Sequence, residues 1–357
     1  MPRATIHTIP RLLGIALATC CAAAPAVQKT TPAAKDAIDA STSTILQGDS
    51  ARALDALRAV PVSDYSPADA DYRACMLGRF DRAAPPYLAG SVEDAFAHDV
   101  LRTYQDYWWR ALATPAQRDA LDAQLAQRLR ALLAVPADAA ADMDAVESLL
   151  GKELERRGFH AQLGRTPPLR ELMLWRKQDT RMVDVALPEG RHTVKVDFLD
   201  DFISRGWSFY ARCERGSAGG WATDSQLFAV VPAYRKDGGL DSETFRVVFL
   251  GHETQHFADE NRFPGMASWE LEYRAKLVEL IQGETVSAKR LRGFITAQSD
   301  DPDSPHTYAN KRVVADLRAK LGAEPDAVPR PRLQAAALEL LREDTRRREQ
   351  GRPVNPD

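Results

Sequence analysis

The spacing of apolar residues changes once along this chain, near Arg165-Thr166-Pro167-Pro168, and that change limits the folds open to it. Before it, residues 36–160 read as successive helices. Leu121, Leu125, Leu129 and Leu132 recur at helical spacing, Ser66-Pro67 and Thr114-Pro115 each place a capping residue ahead of a proline, and Thr114 with Gln117 makes a capping-box pattern. Gly158 reads as the stop of a helix carrying Val146, Leu149, Leu150 and Leu154. Beyond the boundary the period falls to two. Met182–Leu187 and Thr193–Phe198 flank Pro188-Glu189-Gly190-Arg191 as a hairpin, and 206–213 and 226–234 read as two further strands. Helical spacing returns from Ser242. Helices, then about four strands, then helices describe an α+β protein: a helical domain at 29–165 and a second domain at 166–357 with a small, mainly antiparallel sheet. The aromatic group Tyr104, Tyr107, Trp108 and Trp109 sits at helical spacing and reads as core or interdomain packing.

At 357 residues the chain has room for two such domains. Its 47 basic and 50 acidic residues nearly cancel, which excludes a nucleic-acid binder working through a basic face. No apolar run reaches the ~18 residues needed to span a bilayer. The tail 331–350, with Arg346-Arg347-Arg348 among acidic residues, reads as a solvated helix.

Residues 1–28 have the layout of an export signal: Arg3 and Arg11, an apolar run from Leu12 to Ala18, then small residues. Leu17-Ala18-Thr19-Cys20 resembles a bacterial lipobox, which would make Cys20 the lipidated first residue of the mature chain and its sole membrane contact; cleavage after Ala24 or Ala26 is the alternative. Export to the cell envelope or periplasm leaves Cys75 and Cys213 in the body, either as a disulfide or as two separate buried thiols.

The chemistry is concentrated at His252-Glu253-Thr254-Gln255-His256, an HExxH motif. On a helix, a four-residue spacing sets both imidazoles one turn apart on one face, where they can share a Zn²⁺ ion. Glu253 is rotated off that pair, placed to act as general base on a water activated by the metal. The neighbours Leu250, Gly251, Thr254, Gln255 and Phe257 are uncharged, as a buried helix needs.

With Trp269 to Leu280 downstream, the sequence resembles the zincin metallopeptidases, in the branch whose third ligand is a glutamate on a second helix. Glu272-Tyr273-Arg274-Ala275 fits the E-x-x-A pattern of that branch and implies Glu272 as third ligand, with Glu270 the rival about 200° away around the helix. Lys276 stands where an E-x-x-x-D pattern would have an acid. Asp259 or Glu279 could replace that acid in holding a ligand histidine by its second ring nitrogen. The resemblance covers residues 180–285. It implies a zinc-dependent hydrolase, most simply a peptidase, whose peptide or protein substrate pairs with a sheet edge. Strand 226–234 is the candidate edge, and Gly219-Gly220-Trp221 an alternative lining of the cleft. His306 and Tyr308 are candidate donors to the developing oxyanion. The competing reading is a catalytically inactive, metal-binding envelope lipoprotein that works through residues 36–160 as a binding or assembly module.

Overall fold

A computed structural model describes residues 28–86, 92–136, 142–216, 218–223 and 225–351. The signal and lipidation readings, Cys20 included, lie outside these residues. Among the described residues no helix is long and apolar enough to cross a membrane.

Six helices come first: α1 (Pro32–Leu46), α2 (Ser50–Arg58), α3 (Pro67–Phe80), α4 (Ala95–Ala113), α5 (Arg118–Leu132) and α6 (Met143–Arg156). Five of them start on a side chain that accepts an orphan backbone N–H: Thr31, Asp49, Ser66, Asp94 and Asp142. The pattern at Thr114 does not form a capping box. Its hydroxyl donates back to the Arg110 carbonyl at 2.7 Å, and a short 3₁₀ turn (Pro115–Gln117) leads into α5 instead. The apolar faces meet in a first core holding Leu57, Met76, Tyr104, Trp108, Leu125, Leu129 and Leu150. Tyr104, Tyr107 and Trp108 are buried there.

The strands are β1 (His160–Thr166), β2 (Leu169–Leu187), β3 (Gly190–Arg205), β4 (Gly220–Ala222) and β5 (Leu227–Val230), in the order β1-β2-β3-β5-β4. Only β3 and β5 run parallel. The β2–β3 hairpin turns at Pro188-Glu189, where Leu187 pairs with Gly190, and its arms run well beyond the two hexapeptides expected from sequence. This length lets one hairpin serve two cores. Leu169, Leu172 and Leu174 belong to the first; Val185, Leu187, Val194, Val196 and Phe198 belong to a second.

Two strand expectations are corrected. Residues 206–213 form a helical turn, α7 (Trp207–Ala211). Trp207, Tyr210 and Ala211 share an i, i+3, i+4 face in the first core, and the Glu171 carboxylate accepts the Trp207 N–H at 2.9 Å. Gly206 opens the turn at φ 87°, where any Cβ would strike that carboxylate. The other, 226–234, is strand only to Val230. Pro232 sits in the first turn of α8 (Val231–Tyr234), having no N–H to give a ladder. β5 is also not the edge: β4, from the glycine-rich segment, lies outside it.

A disulfide joins Cys75 on α3 to Cys213 just past α7, with Cα atoms 6.2 Å apart. It ties the helical layer to the end of the hairpin.

The second core is built by α9 (His252–Arg262), α10 (Ser268–Gln282), α11 (Ser287–Thr296), α12 (Pro305–Leu321) and α13 (Arg330–Glu349) around the lower hairpin. α10 packs against α9, α11, α12 and α13, so every residue from Trp269 to Leu280 except Glu270 is buried. α13 is not the solvated tail expected: Leu333, Ala337 and Leu341 bury one face against α10.

Candidate metal centre

A central helix surrounded on all sides should be apolar throughout, yet α10 buries Glu272, Arg274, Lys276 and Glu279. Charges so placed are tolerated only with partners. Arg274 pairs with Asp259 at 2.9 Å, Asp344 at 2.8 Å and Glu189 at 2.9 Å, tying α9, α13 and the hairpin turn together. Glu272, Lys276 and Glu279 lie at i, i+4 and i+7, hence on one face, and Glu272 and Glu279 both meet α9 there.

α9 begins directly out of a π-helical stretch, Thr244–Gly251, of the kind often found at functional sites. Gly251 closes it where a Cβ would lie 2.9 Å from Gln282 Oε1, so glycine permits α10 to approach. His252 and His256 then project together, with their Nε2 atoms 2.9 Å apart. Glu272 Oε1 is 3.6 Å from the first and 3.5 Å from the second. Metal bonds of about 2.0–2.1 Å at tetrahedral angles would set donor atoms about 3.3 Å apart. The three separations bracket that value, and two imidazoles with a carboxylate are a donor set suited to zinc. His252, His256 and Glu272 form the candidate metal cluster found among the described residues, their ligand atoms all within 4.8 Å of one another.

Glu270 is elsewhere. Its carboxylate accepts the Ala267 N–H at 2.9 Å at the start of α10 and pairs with Arg348 at 3.0 Å. The support of His252 is Glu279, whose Oε1 lies 2.7 Å from Nδ1 and which also pairs with Arg290. Asp259 does not hold a ligand histidine; Arg274 takes it. Glu279 could have been preferred from sequence, because it stands two turns beyond Glu272 on the same face. Arg290, on the separate helix α11, carried no such signal.

No protein-family model, curated protein or solved structure matches this chain. Its site is therefore read from its own geometry.

The electrostatics follow from burial and two carboxylates. Burial alone would keep His252 neutral, but Glu272 and Glu279 outweigh it and push its pKa up to about 9. Glu272 is held far below the usual carboxylate range: burial opposes this, and the three histidines His252, His256 and His306 overcome it. Glu279, fully buried, is likewise kept low by His252 and Arg290 against the effect of burial. Lys276 Nζ lies 2.9 Å from Glu272 Oε2, the oxygen that faces His306 and not the one that faces His252 and His256.

Glu253 is half-buried and makes no hydrogen bond or ion pair among the described residues, which leaves its carboxylate available. Its charge is felt by Tyr234, whose phenol is raised first by burial and then by Glu253. The Tyr234 hydroxyl in turn donates to the Gly219 carbonyl at 2.8 Å, at the entrance to edge strand β4. β4 itself packs beside α9. Of the two other sequence candidates, His306 is at the head of α12, largely exposed, with Nδ1 2.8 Å from Glu272 Oε2. Tyr308 is buried edge-on against Trp269, ring centroids 5.1 Å apart, and its hydroxyl makes no hydrogen bond to the donor set among the described residues.

Proposed function

We propose that this chain is an exported zinc-dependent hydrolase with a zincin-like site, acting on peptide bonds. The observation that carries the reading is the convergence of His252, His256 and Glu272 from α9 and α10 onto one point, with Glu279 orienting His252 from behind.

His252, His256 and Glu272 would hold the ion. When bound, zinc supplies Lewis acidity, polarising a substrate carbonyl and making water a nucleophile at neutral pH. Glu253, one residue on from His252 and without a competing partner, takes the proton from the attacking water and returns it to the leaving amine. His306, exposed beside Glu272, is the residue able to donate to the developing oxyanion; Tyr308 is left to packing. β4, with its outer edge unpaired in the sheet order, offers an extended peptide backbone hydrogen bonds beside α9. The Cys75–Cys213 bond fits an oxidising compartment, in keeping with an export signal and lipidation at Cys20.

Metal content by plasma mass spectrometry tests the first half of this reading. About one zinc per chain is expected, lost in His256→Ala; a folded protein that takes up no zinc on reconstitution would overturn it. Hydrolysis of peptide libraries tests the second half. One observation favours the alternative of a metal-binding protein without turnover: the Lys276 ammonium against Glu272 weakens that carboxylate as a ligand. That alternative predicts stable folding, no turnover, and partner capture through residues 36–160.

A further inference from the structure

A second constellation lies along β4, away from the three donors. A cavity of about 340 Å³ is walled by Met173, Phe209, Trp221 and Val230 and holds the side chains of Arg205 and Arg212. Its volume is within the range of small-molecule sites. Both arginines are half-buried, and neither has a carboxylate within ion-pair distance among the described residues. Elsewhere Arg79, Arg170, Arg274, Arg290 and Arg348 each meet an acid, and the half-buried Arg73 and Arg118 donate to backbone carbonyls.

Arg212 Nε donates to the Ser208 carbonyl at 3.0 Å, which anchors the stem and leaves the terminal nitrogens without a hydrogen bond. The Arg205 guanidinium lies over Phe202 and Phe209 at 5.9 and 4.8 Å from their centroids and has no hydrogen-bond acceptor among the described residues. Burial lowers the pKa of both; for Arg205 the nearby Arg235 adds to it and Asp200 opposes it, and for Arg212 Tyr72 opposes it, yet burial prevails, so each guanidinium would gain from an anion. Glu171 also lines the cavity. Its Oε1 is engaged by the Leu172 and Trp207 N–H groups at 3.0 and 2.9 Å, and burial pushes it up to about 7. It thus serves the turn into α7 and carries only part of a charge at neutral pH.

We infer that this cavity is a carboxylate-binding subsite in which Arg205 and Arg212 hold the anion while Phe209, Trp221 and Met173 receive the apolar part of the ligand. It rests on the proposed hydrolase only in its placement: Gly220 and Trp221 of β4 line it, and the preceding Gly219 is tied by Tyr234 to the neighbourhood of Glu253. A peptide extended along β4 would therefore meet the catalytic glutamate and the two arginines in turn. The carboxylate is either the chain terminus or an acidic side chain of that peptide.

The test is calorimetric titration of the full chain, stripped of metal so that turnover and zinc play no part. The probes are N-acetyl-phenylalanine, its amide, and N-acetyl-glutamate α-amide, whose only carboxylate is the side chain. Binding of at least one carboxylate probe is expected, with none for the phenylalanine amide, and whichever carboxylate binds tighter names the source. Arg205→Gln/Arg212→Gln should weaken it about tenfold or more. Equal binding of acid and amide, no binding of either carboxylate by about 10 mM, or full binding in the double variant would overturn the inference. The acid–amide comparison needs no variant and survives any folding defect. Because it needs no activity, a protein that binds the acid but hydrolyses nothing refutes the peptidase alone.

Discussion

The proton on His252 competes directly with a metal ion, and the strength of that competition can be worked from the site. Both ring nitrogens face carboxylates: Glu279 2.7 Å from Nδ1, and Glu272 3.6 Å from Nε2. Together they lift the pKa from 6.5 to about 9 against the effect of burial. At pH 7 the metal-free protein therefore holds a proton where the proposed zinc ion would bind. Displacing it costs about 3 kcal/mol, since each of the two intervening pH units is worth about 1.4. Apparent zinc affinity should rise about tenfold per pH unit from pH 7 and level off near 9, a gain of about a hundredfold. The sign for stability is the reverse. A raised pKa contributes stability that is complete below pH 6.5 and lost as pH rises through 9, so the metal-free protein should weaken across this window. Competition with a chromophoric chelator at fixed ionic strength reads the affinity, and urea titration of the metal-free protein reads the stability. Calorimetry at pH 7 in buffers of different ionisation enthalpy should show about one proton released per zinc. An affinity that is flat between pH 7 and 9, or that levels off near 6.5, would refute the reasoning.

Three further perturbations probe other parts of the argument. Glu253→Gln should cut turnover of any peptide substrate by about 10²–10⁴-fold or more while leaving zinc content near one per chain; undiminished turnover would remove Glu253 from the mechanism. Opening the Cys75–Cys213 bond with Cys75→Ser/Cys213→Ser frees a loop of 138 residues and should cost about 2–5 kcal/mol, read as a lower denaturant midpoint; an unchanged midpoint would contradict it. Arg274→Ala leaves Asp259 buried without its cation, while Asp344 keeps Arg347 and Arg348, and a loss of about 3–5 kcal/mol on urea unfolding is expected; a loss below about 1 kcal/mol would show that Asp259 finds another partner.

Legibility from sequence varied with how local the determining contact is. Helix starts at Thr31, Ser66 and Asp94 depend on a side chain and a backbone group three residues apart, and such signals are written in the chain. Residues 206–213 misled because alternation over a short apolar run cannot be told from a helical turn, and the deciding contact is the Glu171 carboxylate, distant in sequence. At Val231-Pro232 the proline did mark the end of the strand. Which strand forms the sheet edge depends on pairing order, and no single strand records it.

The same division runs through the site. The spacing of His252, Glu253 and His256 sets two imidazoles on one helical face and a carboxylate beside them, a consequence of 3.6 residues per turn. Glu272 over Glu270 was implied by the resemblance to the E-x-x-A pattern, but that its carboxylate meets the two imidazoles follows only from the packing of α10 on α9. The choice of Glu279 over Asp259, the exposure of His306 and the burial of Tyr308 follow from which helices surround α10. The unpaired arginines beside β4 belong to the same class: a sequence shows that arginines are present, and only the fold shows which are left without an acid. Local geometry is carried by bonded neighbours and is fixed by residue order, whereas burial and charge pairing are sums over elements far apart in the chain and exist only once those elements have met.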